Sequence, residues 1–272
     1  MNFTKMFSLQ GKNAIVTGGA GILGKSFCEA LASFGAGVAV VDIQESAAVS
    51  LAAKIARMHK VKAVGVGCDV SDPRSVAGMM KKVSAALGHV HVLHNNAAAK
   101  PGDLKLFFGP FEEYSLSQWK ETMAVNIDGM FLVAQAVGKQ MAAKKIRGTI
   151  IQTASIYGMM APDQRIYEGS KYLGQKINSP AVYAASKGAV ISLTRYLAAY
   201  WAPKGIRVNT LSPGGVESGQ NRAFKKKYSH RVPMGRMARA EEMAGALVYL
   251  ASDASSYVTG QNIAVDGGLS AW

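Results

Sequence analysis

The 272 residues are 49% hydrophobic and 18% charged, enough for one large buried core, and no Pro/Ser/Gly-rich linker divides them, so one domain over 1–272 is expected. Apolar runs fall short of the roughly 18 residues a membrane span needs. The start, M-N-F-T-K-M-F-S-L-Q-G-K, lacks a signal-peptide core, and Cys28 and Cys68 read as free core thiols, so a cytoplasmic protein with no membrane partner is expected. The formal charge of +14 concentrates at Arg222, Lys225, Lys226, Lys227, Arg231, Arg236 and Arg239, with no acid between Ser218 and Ala240. No helix-turn-helix, zinc or aromatic-stacking pattern accompanies it, which argues against nucleic acid and leaves a solvated face or an anion-facing surface.

Residues 12–24, K-N-A-I-V-T-G-G-A-G-I-L-G, read as a buried strand, a glycine turn and the start of a helix over about 25–34. Gly19, Gly21 and Gly24 satisfy G-x-G-x-x-G directly after the strand, and a second strand over 38–43 ends near Asp42, 18 residues past Gly24. Such glycines let the backbone approach a pyrophosphate resting on the positive end of the helix. Asp42 can accept from both adenosine ribose hydroxyls and would repel a 2′-phosphate, with Ile43 and Gln44 supplying no cation, so NAD is favoured over NADP. The competing role for Asp42 is a turn or capping carboxylate.

Alternation continues with a helix over 47–59, a strand over 63–70, a helix over 73–87 and a strand over 90–95. This spacing predicts a doubly wound parallel α/β sheet of about seven strands with helices on both faces. Asp69, before S-D-P, reads as a helix cap. Residues 100–115 read as a loop at the carboxyl edge of the sheet, where open α/β folds place ligands. A long helix is expected over 116–144, then a central strand over 148–155 ending at Ser155. His59, His89, His91, His94 and His230 have no metal-ligand spacing, so no metal is expected.

Downstream of Ser155 the pattern Tyr-x-x-x-Lys occurs three times: Tyr167 with Lys171, Tyr172 with Lys176, and Tyr183 with Lys187. A phenol with an ordinary pKa of about 10 needs a nearby cation to serve as a base near neutrality, and a lysine one helical turn away supplies it. The first two pairs lie among Gly169, Gly174, Pro162 and Pro180, where a helix is poorly supported. Tyr183 opens Y-A-A-S-K-G-A-V-I-S-L-T-R-Y-L, whose apolar Val190, Leu193 and Leu197 have helical spacing.

The ordered set of Thr17–Gly24, C-D-V at 68–70, N-N-A-A at 95–98, A-V-N-I-D-G at 124–129, Ser155, Tyr183 with Lys187, R-V-N-T-L-S-P-G-G-V at 207–216 and G-Q-N-I-A-V-D-G-G at 260–268 resembles the short-chain dehydrogenase/reductase family over nearly the whole chain. The resemblance implies a Rossmann-type fold and hydride transfer between a nicotinamide cofactor and a carbinol or carbonyl carbon. It casts Tyr183 as general acid/base, Lys187 as its cationic partner and a ribose ligand, Ser155 as the group bonded to the substrate oxygen, and Asn126 as the holder of a relay water. Cofactor contacts are implied for Gly18, Gly21, Ile22, Leu23, Gly24, Asp42, Ile43, Asp69, Val70, Asn96, Ala97, Tyr183, Lys187, Pro213, Val216 and Ser218. Two departures stand out: the turn reads Thr17, Gly18, then Gly21 and Gly24, closer to the family's sugar-nucleotide branch, and Ala98 replaces the usual glycine. Ser155 lies 12 residues before Tyr167, near the family's usual gap, and 28 before Tyr183. Helix quality and downstream context nevertheless favour Tyr183, which makes 161–180 an insertion beside the site.

Segment 217–235 lies where the family has its substrate lid. With Arg165 and Tyr167 of the insertion as substrate contacts beside Ser155 and Tyr183, a sugar, sugar acid or other sugar-derived substrate is expected, phosphorylated or nucleotide-linked forms included. The alternatives are a 3-oxoacyl-[acyl-carrier-protein] reductase, whose usual NADP conflicts with Asp42, and a non-catalytic dinucleotide-binding regulator. Family members are commonly oligomers, so a homotetramer or dimer is expected, with exposed Trp272 at a subunit contact.

Overall fold

The computed structural model describes residues 3–99, 102–172 and 174–272. Seven parallel strands form one sheet: β1 (Asn13–Thr17), β2 (Gly37–Asp42), β3 (Ala63–Gly67), β4 (Val92–Asn95), β5 (Thr149–Thr153), β8 (Arg207–Pro213) and β9 (Asn262–Val265). Their order is β3-β2-β1-β4-β5-β8-β9, the doubly wound arrangement expected from alternating strand and helix. The chain reverses its direction of travel between β1 and β4. Ligands of such sheets bind in that crevice, at the carboxyl ends of the strands.

The strands are apolar on both sides because both sides are covered. Helices α1 (Ile22–Ser33), α2 (Glu45–His59) and α9 (Ala244–Ala251) bury Phe27, Leu31, Ile55 and Leu250 on one face. Helices α3 (Pro73–Leu87), α6 (Met130–Ala143) and α7 (Ala181–Trp201) bury Met79, Val137, Met141 and Trp201 on the other. Cys28 and Cys68 are buried free thiols. No helix among the described residues is long and apolar enough to cross a membrane.

Three sequence expectations are refined. Asp72 caps α3 by accepting from Arg74 N, while Asp69 accepts from Ser71 N and Oγ in the preceding turn, so Asp69 is not the cap. The loop at 100–115 contains a one-turn helix, α4 (Leu104–Phe107), started by Asp103; its first two residues lie outside the described ones. The long helix expected over 116–144 is two, α5 (Leu116–Met123) and α6, joined by a π-helical segment, Ala124–Gly129. Segment 161–180, expected as an insertion, contains a small antiparallel hairpin, β6 (Lys171–Tyr172) with β7 (Gln175–Lys176). It shares a separate hydrophobic cluster with α8 (Arg222–Arg231): Ile166, Tyr167 and Ile177 pack against Phe224 and Tyr228. Insertion and α8 thus form one cap beside the carboxyl end of the sheet.

Candidate active site

The turn after β1 is built around missing side chains. Gly18 has φ +61°, and a Cβ there would press on the backbone of Ala97; a Cβ on Gly24 would lie 2.1 Å from Gly18 O. The first turn of α1 therefore sits directly on the glycine turn, with Gly21 as its cap and the amides of Ile22, Leu23 and Gly24 at its positive end. Removal of the Cβ atoms leaves a backbone cradle of the kind a pyrophosphate fills, and the residues present fit a dinucleotide.

Thr17 ties this turn to β4. Its Oγ1 accepts from Asn96 N (2.9 Å) and Ala97 N (3.0 Å), and Asn96 Nδ2 donates back to Thr17 O at 3.1 Å. Asp42, at the end of β2, accepts from Ala20 N (3.0 Å) and Gln44 N (3.1 Å). Its carboxylate thus braces the glycine turn, the turn role that competes with ribose binding in the sequence. Ile43 beside it is 72% exposed. Val70 is buried against Gly129, where a Cβ would strike its side chain. At the far end of the crevice Pro213 closes β8, Gly215 N donates to Tyr228 Oη, Val216 bridges to Ala238, and Ser218 accepts from Gln220 Nε2.

The four residues expected to carry the chemistry converge past β5. Ser155 follows the strand and accepts from Tyr157 N. Tyr183 and Lys187 lie one turn apart on α7, with Lys187 Nζ 5.7 Å from the centre of the Tyr183 ring. Burial raises the Tyr183 phenol above its ordinary pKa, and the neighbouring Ser155 side chain partly offsets the rise. Lys187 is 2% exposed and donates to Thr153 O at 2.9 Å. Burial pulls its pKa down to about 8, so the ammonium persists at neutrality.

Asn126 lies in the π-helical segment, where the wider turn carries it inward, a device common at functional sites. It is 1% exposed, accepts from Ala99 N at 2.7 Å and donates to Ser186 Oγ at 3.0 Å. Ser186 in turn donates to Tyr183 O at 2.8 Å. The asparagine thereby clamps the β4 loop to the first turn of α7. Sequence reasoning missed Ser186 and Thr153; the only signal for Ser186 was its place three residues after Tyr183. His94, a core histidine, bonds Thr153 Oγ1 at 2.8 Å, and burial holds its pKa near 3, so it stays neutral.

The two predicted substrate residues of the insertion lie elsewhere. Arg165 extends into solvent and pairs bidentately with Asp163. Tyr167 is buried under α8 and donates to Tyr157 Oη at 3.3 Å. Neither lines the cavity of about 860 Å³ beside the site, bounded by Tyr114, Tyr157, Met159, Gln164, Asn178 and Ala181 among others. The carboxyl-edge loop and the cap instead meet across it through Asn178, whose Nδ2 donates to Phe108 O and Gly109 O.

A dinucleotide cradle at the switch point of a doubly wound sheet, with a tyrosine, lysine, serine and asparagine assembled beside it, defines a nicotinamide-dependent oxidoreductase. The profile described as short chain dehydrogenase matches residues 12–179, and that described as Enoyl-(Acyl carrier protein) reductase matches 172–270. D-threitol dehydrogenase of Mycolicibacterium smegmatis is 36% identical over 271 residues, covering 96% of this chain and 94% of that protein. Among solved structures, a gluconate 5-dehydrogenase from Burkholderia cenocepacia J2315 in complex with NADP and tartrate is 32% identical with a TM-score of 0.87, over 100% of both chains. A short chain dehydrogenase from Leptospira borgpetersenii with bound NAD+ is also 32% identical, with a TM-score of 0.83, covering 99% of this chain and 96% of that one. The chain belongs to the short-chain dehydrogenase/reductase family.

Proposed function

We propose that the protein is an NAD-dependent dehydrogenase interconverting a secondary alcohol and a ketone on a polar, sugar-derived substrate. The observation that carries this reading is the convergence of Ser155, Tyr183, Lys187 and Asn126 beside the glycine cradle. A bound nicotinamide cofactor supplies the electron-pair acceptor or donor for the reacting carbon. Gly18, Gly21 and the Ile22–Gly24 amides hold its pyrophosphate, and Asp42, Ile43, Asp69 and Val70 its adenosine. Asn96, Ala97, Lys187, Pro213, Val216 and Ser218 hold its far end.

On the substrate, Ser155 donates to the reacting oxygen, and Tyr183 takes the hydroxyl proton in oxidation and returns it in reduction. The Lys187 ammonium stabilises the phenolate electrostatically. Such general acid/base work is worth about 10² to 10⁴ in rate. Asn126 holds the Tyr183 turn through Ser186 and supports the relay water.

NAD is preferred on the chemistry of the end of β2, where the Asp42 carboxylate would repel a 2′-phosphate and Ile43 and Gln44 supply no compensating cation. The threitol and gluconate dehydrogenase relatives support a sugar-derived substrate. Segment 217–235 acts as the lid over it, and the protein works in the cytoplasm as a homo-oligomer. Phe131, Tyr196 and Tyr200 on α6 and α7, 46 to 65% exposed, supply an apolar face for such an assembly. Spectroscopic measurement of NADH formation over polyols, aldonates and hydroxyacyl thioesters tests the reading. Turnover of thioesters alone, or of nothing, overturns it.

A further inference from the structure

Resting on that reading, we propose that the site selects an uncharged polyhydroxy substrate, an open-chain polyol or its ketose, over sugar acids and sugar phosphates. The cavity adjoins the reacting groups: Tyr157 donates its amide to Ser155 Oγ, and Ala181 and Ala184 flank Tyr183 on α7. Its described lining contains aromatic, thioether, amide, hydroxyl and small apolar side chains and no Lys, Arg, Asp or Glu.

Four of the nearby cations are engaged by carboxylates outside the cavity, and no described residue of α8 lines it. Arg165 and Arg231 both pair with Asp163, Lys227 with Glu168, and Lys225 with Glu217. Lys227 also donates to the carbonyls of Arg165 and Glu168. The basic stretch of α8 therefore fastens the insertion in place and puts no free cation on the cavity wall. A carboxylate or phosphate entering would shed water without gaining an ionic partner, which is costly. The overall charge of +14 acts at longer range on encounter and is screened by salt.

The polar groups on the wall suit hydroxyls. Tyr114, Tyr157, Gln164, Asn178 and Ser179 line the cavity with hydroxyls and amides, which between them offer both donors and acceptors to a substrate hydroxyl, itself donor and acceptor, whereas an ionised carboxylate is acceptor-only.

The test measures kcat/KM of the full-length protein, with NAD and with NADP, for pairs differing in one terminal group: threitol against threonate, glucitol against gluconate, and glucitol against its 6-phosphate. The uncharged member is expected to lead by at least tenfold, about 1.4 kcal/mol. Ala181→Lys, at an exposed position on the cavity wall, is expected to move the ratio toward the acid by at least tenfold. Equal or reversed preference in the unaltered protein, or an unmoved ratio in the variant, overturns the inference and leaves the carbohydrate reading standing. Turnover of no carbohydrate overturns both.

Discussion

Replacing Gly24 with alanine tests whether the packing of α1 against the glycine turn is what makes the cofactor cradle. The added Cβ would lie 2.1 Å from Gly18 O and 2.7 to 2.8 Å from Gly19 Cα and C. All three are backbone atoms that cannot swing aside, so α1 must retreat by about 1 Å, an overpacking that costs about 1–3 kcal/mol. For a chain of this size the melting temperature should fall by roughly 3–10 °C. The same retreat carries the Ile22–Gly24 amides away from the pyrophosphate, so the Kd for NAD should rise at least tenfold. Gly21→Ala is the control: its Cβ meets only Gly18 O, at 3.2 Å, and Gly21 has an ordinary φ of −71°. Calorimetric titration with NAD and thermal melts of both variants provide the measurement. Wild-type NAD affinity in Gly24→Ala, or equal losses in the two variants, would refute the packing argument.

Tyr183→Phe should lower kcat at least a hundredfold, whereas Tyr167→Phe, which loses only a buried bond to Tyr157, should stay within about threefold; steady-state kinetics of the two variants decides between the tyrosines. Lys187 has its pKa lowered from 10.5 to about 8 by burial, so below pH 8 it imposes a folding penalty of at most roughly 3 kcal/mol, relieved as pH rises toward 10.5. Denaturant unfolding from pH 8 to 9.5 should therefore show wild-type stability rising by about 2 kcal/mol relative to Lys187→Met. The window stops short of pH 10, where Tyr183, whose pKa is raised, acts in the opposite sense. Asp42→Ala removes both the charge and the brace to Ala20 N; KM for NAD should rise about tenfold and the preference over NADP should shrink, as paired cofactor titrations would reveal. Asn126→Ala leaves Ala99 N and Ser186 Oγ without their partner and should cost about 1–3 kcal/mol in chemical denaturation.

The fold was legible because it depends on local periodicity. Buried parallel strands read as short apolar runs, and α3 was placed at both ends because Pro73 starts it and Gly88 stops it. The break in the helix after Met123 was not legible, since A-V-N-I-D-G contains no proline and its single glycine, Gly129, is tolerated within a helical pattern. Its π turn makes sense only with the partners of Asn126 in place, one before the segment at Ala99 and one far after it at Ser186.

The sequence by itself determined the alternating architecture and the glycine turn after β1, because each rests on spacing within one element, and it favoured Tyr183 over its two rivals on helix quality and downstream context. Only the tertiary structure decided which side chains face the cavity beside Ser155 and Tyr183. It turned Arg165 toward Asp163, buried Tyr167 beneath α8 and brought Asn178 to the wall instead. A charge in a loop has no period to show which way it points, and its direction follows from the carboxylates and apolar surfaces that distant segments bring to it.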